Sequence, residues 1–176
     1  MSDLRECSCG PLPPCAPDCP NRRAPAGGPA LGIDPGLNVG WCVYHPNRPP
    51  QSGAILLKGD LGEGLDYFAG WLRDAIRRFN PCVVAAERPF GNSKFTAPIA
   101  TEVLGVMHMV AFRSAVARRE FTASEIKKAV TGSGRAGKSD VMRAVRERYG
   151  IAAQSNHEAD AAAVAVLAWA REAQGA

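Results

Sequence analysis

The sequence predicts an α/β protein built on a mixed five-stranded sheet flanked by helices, and three observations carry that prediction. Three short strand-like runs come first, at residues 30–34, 40–44 and 52–57, separated by turn-forming residues. Helix-period and strand-like segments then alternate, which is the pattern of parallel strands joined through helices. Two buried-looking runs, Leu31-Gly32-Ile33-Asp34 and Val83-Val84-Ala85-Ala86-Glu87, each end on a carboxylate.

Residues 1–29 mix Pro, Gly, Cys and Arg without periodicity and read as a disordered leader, so the folded domain spans 30–176. A turn at 36–38 joins the first two strands, and a Pro/Asn loop at 45–51 leads to the third, making an antiparallel meander. A helix follows over 63–79, with Leu65, Phe68, Leu72 and Ile76 on one face. Pro81 opens the strand 82–86. A loop over 88–95 precedes a long helix at 98–118, whose Gly105 marks close packing against a neighbour. A fifth strand sits at 120–122, short helices at 124–131 and 138–149, and an Ala-rich helix at 158–172.

A chain of 176 residues has room for one domain with a substantial core. No apolar run is long enough to span a membrane, and the N-terminus lacks the apolar stretch of a secretory signal, so the reading is cytoplasmic. The net charge of +4 is unevenly placed: residues 113–148 hold ten Lys or Arg against four Asp or Glu. Such an excess suits a phosphate backbone, although a solvated helical face has the same composition. Cys7, Cys9, Cys15 and Cys19 crowd the leader. They supply the thiolates of a Zn²⁺ site, but interleaved prolines and the absence of C-x-x-C pairs favour the disordered reading. Cys42 and Cys82 read as small core residues of a reduced protein.

Asp34 and Glu87 end strands, and His157 and Asp160 stand three apart where a helix begins, so they share a face. Carboxylates at strand ends, joined by ligands from a helix, make an oxygen-rich cavity suited to Mg²⁺ or Mn²⁺. A pair of such ions activates water at a phosphodiester. Each residue also has an ordinary reading: a turn aspartate for Asp34, an ion pair with Arg88 for Glu87, helix-start residues for His157 and Asp160. Glu158 is fully explained as a helix-start acid. Gly132 to Ser139 matches the P-loop pattern, but the charged, helix-patterned stretch before it is not the buried strand a P-loop needs, so no nucleotide cofactor is expected. Its glycines, with Lys127, Lys128, Arg135 and Lys138, are instead suited to gripping a nucleic-acid phosphate. Phe90 and Phe95, beside Asn92 and Lys94, are placed to stack on an unpaired base or to fold back onto the core.

Ile33-Asp34-Pro35-Gly36, Ala86-Glu87-Arg88-Pro89-Phe90, Lys127 through Gly134 to Lys138, and His157-x-x-Asp160-Ala161 together resemble the RuvC Holliday-junction resolvases over residues 30–172. The resemblance implies an RNase H-like fold and a homodimer that sets two active sites on a four-way DNA junction. It implies that Asp34, Glu87, His157 and Asp160 are the catalytic and metal-binding residues. Phe90 corresponds to the junction-stacking aromatic, and Lys127 and Lys138 to basic residues near the scissile phosphate. Many members carry Asp where His157 stands, which shifts metal preference toward Mn²⁺. The expected activity is metal-dependent endonucleolytic resolution of Holliday junctions or other branched DNA in a bacterial or phage-infected cell. An RNase H-like nuclease for flaps or RNA-containing substrates, and a catalytically silent DNA-binding protein, are the alternatives.

Overall fold

Hydrophobic alternation builds the sheet and sorts its two faces. In β1 (Ala30–Asp34), Leu31 and Ile33 enter one core while Ala30 enters the other, the period of two that a pleated strand imposes. The antiparallel meander is β1, β2 (Asn38–His45) and β3 (Arg48–Leu56). On the other side of β1, β4 (Val83–Glu87) and β5 (Ala117–Phe121) add in parallel, giving the order β3-β2-β1-β4-β5. The computed structural model describes residues 27–89 and 96–174.

On one face of the sheet lie large residues of β1, β2 and β4. Leu31, Ile33, Val39, Val43 and Val84 pack there against two helices, α1 (Leu61–Phe79) and α2 (Thr96–Arg113). Helix α1 starts on an Asp60–Glu63 capping box and ends on Asn80 in the left-handed conformation, so both of its ends are defined by local chemistry. The opposite face carries the small residues Ala30, Gly32, Gly40, Cys42 and Ala85 beside the larger Tyr44, Val83 and Phe121. Against it lies α5 (Asn156–Gln174), whose buried side is rich in small residues, with Ala161, Ala162, Ala163 and Ala165. Two shorter helices, α3 (Ala123–Thr131) and α4 (Lys138–Tyr149), pack on α5.

Small against small lets backbone approach backbone. A Cβ added to Gly32 would overlap the carbonyl oxygen of Ala161 and the amide nitrogen of Ala165, and one added to Gly40 would overlap the carbonyl of His157. Glycine is required at both positions for space, not for its backbone freedom.

The fold class follows the sequence expectation, and α4 occupies the span its pattern predicts. Three local expectations are corrected. The 45–51 loop is a tight hairpin in which Pro46 and Asn47 form the turn and β3 already starts at Arg48. Its Pro49 and Pro50 are tolerated because β3 is an edge strand that needs no outward N–H donors. The long helix ends at Arg113 rather than 118; Ala115 turns the chain at φ 51°, and Arg118 and Arg119 belong to the edge strand β5. Gly105 is exposed, with nothing near its Cβ position, so it makes no close helix contact among the described residues. Cys42 and Cys82 are buried free thiols, as expected, and burial pushes the Cys42 thiol up to about 12. Cys7, Cys9, Cys15 and Cys19, with the Zn²⁺ reading attached to them, lie outside the described residues, as do Phe90, Asn92, Lys94 and Phe95. Among the described residues no helix is long and apolar enough to cross a membrane.

Gly32→Ala is expected to cost about 3 kcal/mol or more, because the added methyl meets backbone that cannot step aside. Thermal unfolding reads this as a melting point lowered by roughly 10 °C, or as protein that fails to fold.

Candidate active site

Register brings the first two acids together. Ile33 pairs with Ala86 across the parallel β1–β4 ladder, so Asp34 and Glu87 leave the same end of the sheet side by side. Counting by twos from Ala30 and Ala85 turns both carboxylates to the α5 face. The carboxyl ends of parallel strands are where open α/β sheets place their ligand crevices.

The third and fourth residues arrive with the start of α5. Asp34 pairs with Gly40 across β1–β2, and the backbone of His157 rests on Gly40. His157 is therefore held beside Asp34, and its Nδ1 lies 2.8 Å from Asp34 Oδ2. Asp160, one turn further along α5, lines the same cavity of about 640 Å³ as Asp34, Glu87 and His157. Lys127 of α3 and Lys138, the first residue of α4, also line it. The wall opposite is apolar and includes Leu37 and Ile99.

Lys128 and Arg135 do not join this group, the first by its phase on α3 and the second by its place in the turn before α4. Lys128 is exposed and does not line the cavity, and Arg135 lines a second cavity of about 400 Å³ with Arg143 and Arg148. The Gly132–Ser139 segment follows α3, which ends on Gly132 at φ 87°, so no buried strand feeds it and its Lys138 turns to the carboxylates. Arg88 does not neutralise Glu87 by an ion pair: its Nε bonds Glu120 Oε2 at 3.2 Å, and Glu120 also bonds His108 at 2.7 Å.

All three carboxylates hold their protons more tightly than usual, with burial the first cause of each. Burial pushes Asp34 up to about 6, against a bond from His157 that pulls the other way, with the nearby Asp160 charge adding to the rise. Glu87 is raised by burial and then by the charges of Asp34 and Asp160. Asp160 is raised by burial and held back by Lys138 and His157. Clustered, desolvated acids of this kind mark a cation site or a proton-transfer site. All-oxygen donors with one imidazole fit a hard or borderline divalent ion. Among the described residues no three such side chains are gathered closely enough to hold an ion as they stand. A cation held in the cavity would lower the proton affinity of all three acids.

The sequence reading missed the role of Glu158. Rather than facing solvent at a helix start, it is buried, with 8% exposure. Its Oε2 accepts a hydrogen bond from Ser52 Oγ of β3 at 2.9 Å, and its Oε1 accepts one from Ser155 Oγ at 3.3 Å. The Ser155-x-x-Glu158 spacing signals a helix start, but nothing local points to a partner 106 residues away.

Comparison with known proteins matches residues 30–168 to the family described as "Crossover junction endodeoxyribonuclease RuvC". The Rubrobacter xylanophilus protein of that name is 34% identical over 146 residues, covering 77% of this chain and 82% of its own length. The Thermus thermophilus RuvC structure superposes with a TM-score of 0.73 at 25% identity, over 81% of this chain and 95% of that one. A second structure, T. thermophilus RuvC in complex with Holliday junction substrate, has a TM-score of 0.75 at 24% identity, over 84% and 96% of the two chains.

The raised Asp34 carboxyl makes metal-free stability depend on pH. The folded state holds its proton up to about pH 6, whereas the unfolded chain releases it near 3.8. Stability contributed by that proton is therefore complete below 3.8 and lost as pH rises through 6, a difference on the order of 3 kcal/mol. Melting curves in EDTA are expected to show this fall, and Asp34→Asn to flatten it and raise the melting point at pH 7.

Proposed function

The chain belongs to the RuvC family of crossover junction endodeoxyribonucleases, and we propose that it cuts branched DNA with Asp34, Glu87, His157 and Asp160. As a member of that family, it is a structure-selective, divalent-metal-dependent endonuclease with an RNase H-like α/β fold, acting on Holliday junctions. The observation that carries the residue assignment is the single cavity in which three raised carboxylates, His157 and two lysines meet.

Asp34, Glu87 and Asp160 would hold two Mg²⁺ or Mn²⁺ ions, with His157 as a further ligand or proton carrier. When bound, such a pair supplies an activated water and stabilisation of the departing oxygen. The chain's own residues do the rest. Lys127 and Lys138 draw the scissile phosphate into an otherwise acidic cavity and neutralise it. The Asp34 bond occupies Nδ1 of His157 and leaves Nε2 for ligation or for exchanging a proton with water. Lys128 and Arg135, outside the cavity, extend the basic surface along the DNA backbone, and Phe90 and Lys94 lie on the segment that follows Glu87.

The partner is a four-way junction bound by a homodimer in the cytoplasm of a bacterial cell. A face of α2 left uncovered by the described residues supports a second copy: Met109 is 42% exposed and Phe112 70%, beside the exposed Gly105.

Asp34→Asn is expected to lower cleavage of a synthetic four-way junction at least a thousandfold while junction binding in EDTA stays within about threefold, because affinity rests on the basic surface. Gel assays on a junction, a flap and an RNA·DNA hybrid, each with Mg²⁺, Mn²⁺ or EDTA, check substrate and metal together; near-normal cleavage by the variant refutes the assignment. Phe112→Glu is expected to turn a dimer into a monomer by analytical ultracentrifugation.

A further inference from the structure

The start of α5 is built differently from an ordinary capped helix. Ser155-Asn156-His157-Glu158 has the S-x-x-E pattern in which the glutamate normally bonds back to the cap's own amide. Half of that arrangement is present: Ser155 Oγ accepts the Glu158 N–H at 3.2 Å, and Ser155 O accepts the Ala159 N–H at 3.1 Å. The glutamate side chain, however, is diverted to the sheet. Its Oε2 accepts from Ser52 Oγ at 2.9 Å and from the Gln154 N–H at 3.4 Å, and its Oε1 accepts from Ser155 Oγ. Ser52 stands on β3 opposite Cys42 of β2, so one carboxylate ties the helix cap to the far strand of the meander.

The surroundings give that tie a purpose. Over its first half the sheet-facing side of α5 is alanine over glycine, which fixes how near the helix lies, whereas the large side chains that key it against rolling, such as Trp169 on Tyr44, come at its far end, away from His157 and Asp160. Residues advance about 100° per position around a helix, so His157 and Asp160 flank one side while Glu158 points toward the sheet. We propose that Glu158, bonded to Ser52, is a positioning residue that sets the rotation of α5 and so aims His157 and Asp160 at Asp34 and Glu87. The proposal rests on the proposed function of that cavity. A buried carboxylate among neutral donors loses much if it leaves them, which makes the tie stiff. Misaiming reactive groups by about 1 Å costs on the order of a hundredfold in rate, and loss of an outer support costs ten- to a hundredfold in metal affinity.

The test uses the full chain and the variants Glu158→Ala, Glu158→Gln, Ser52→Ala and the Ser52→Ala/Glu158→Ala double variant. Calorimetry of Mn²⁺ binding to metal-free protein, junction kcat and KM, and melting points are read at a temperature below every transition. The expected result for Glu158→Ala is Mn²⁺ affinity and kcat each lowered tenfold or more, with KM changed less than threefold. Glu158→Gln, which keeps an acceptor oxygen, is expected to recover most of both, and the double variant to be no worse than Glu158→Ala. The mild Ser52→Ala keeps the question open to measurement if Glu158→Ala does not fold, and is expected to move Mn²⁺ affinity in the same direction. A lowered melting point with wild-type Mn²⁺ affinity and kcat overturns the proposal, as do fully additive effects in the double variant. Failure of the wild-type protein itself to bind Mn²⁺ and cleave would overturn the reading of the cavity instead.

Discussion

The near-contact of α5 with β1 and β2 is the constraint from which the rest of the molecule follows. Gly32 and Gly40 bring helix and sheet backbones together, and the alanines of α5 let them stay there. On the other face the larger Leu31, Ile33 and Val84 meet α1 and α2. Both faces bury apolar area that stabilises the fold, but only the glycine–alanine seam contributes such short distances. Those distances put His157 within bonding range of Asp34 even though 123 positions separate them.

A scaffold of this stiffness is needed because the cavity is uncomfortable. Three acids are held half out of water, Asp160 raising the proton affinity of Asp34 and both raising that of Glu87, and Lys127, Lys138 and His157 answer them from the protein side. Neither lysine belongs to the sheet: α3 and α4 carry them, and both helices are anchored on α5. One helix therefore organises both signs of charge, contributing His157 and Asp160 itself and supporting the two elements that bring the cations. Crowding buried acids in this way costs local stability, the pattern expected of the reactive site proposed for this cavity.

How much of this could be read in the chain depended on the range of the interaction. Strand-terminal Asp34 and Glu87, and the His157-x-x-Asp160 pair, were legible because local pattern fixes which element each ends or begins, and all four do share one cavity. The span of α4 was legible because its apolar period, its basic last turn and Gly150 beyond it agree. The start of β3 was not, since Pro49 and Pro50 are read as breakers until the strand is known to be an edge. Nor was the end of α2, where a helix-compatible Ala-Arg-Arg stretch becomes strand by pairing with β4. Lys127 and Lys128 look equivalent in sequence, and only helical phase sends the first inward. Glu158 was the hardest case: its local explanation was sufficient, and its real partner lies on a strand far away in the chain.

The two outer strands carry a consequence for self-association. One border of the sheet is β3, with two adjacent prolines that present no amide hydrogens, and the other is β5, with Arg118 and Arg119 side by side. Proline and positive charge are the devices by which exposed borders refuse foreign strands. Sheet-to-sheet extension, the common route to fibrils and swapped assemblies, is thereby discouraged at both margins, which leaves helical surfaces as the open route for any second copy.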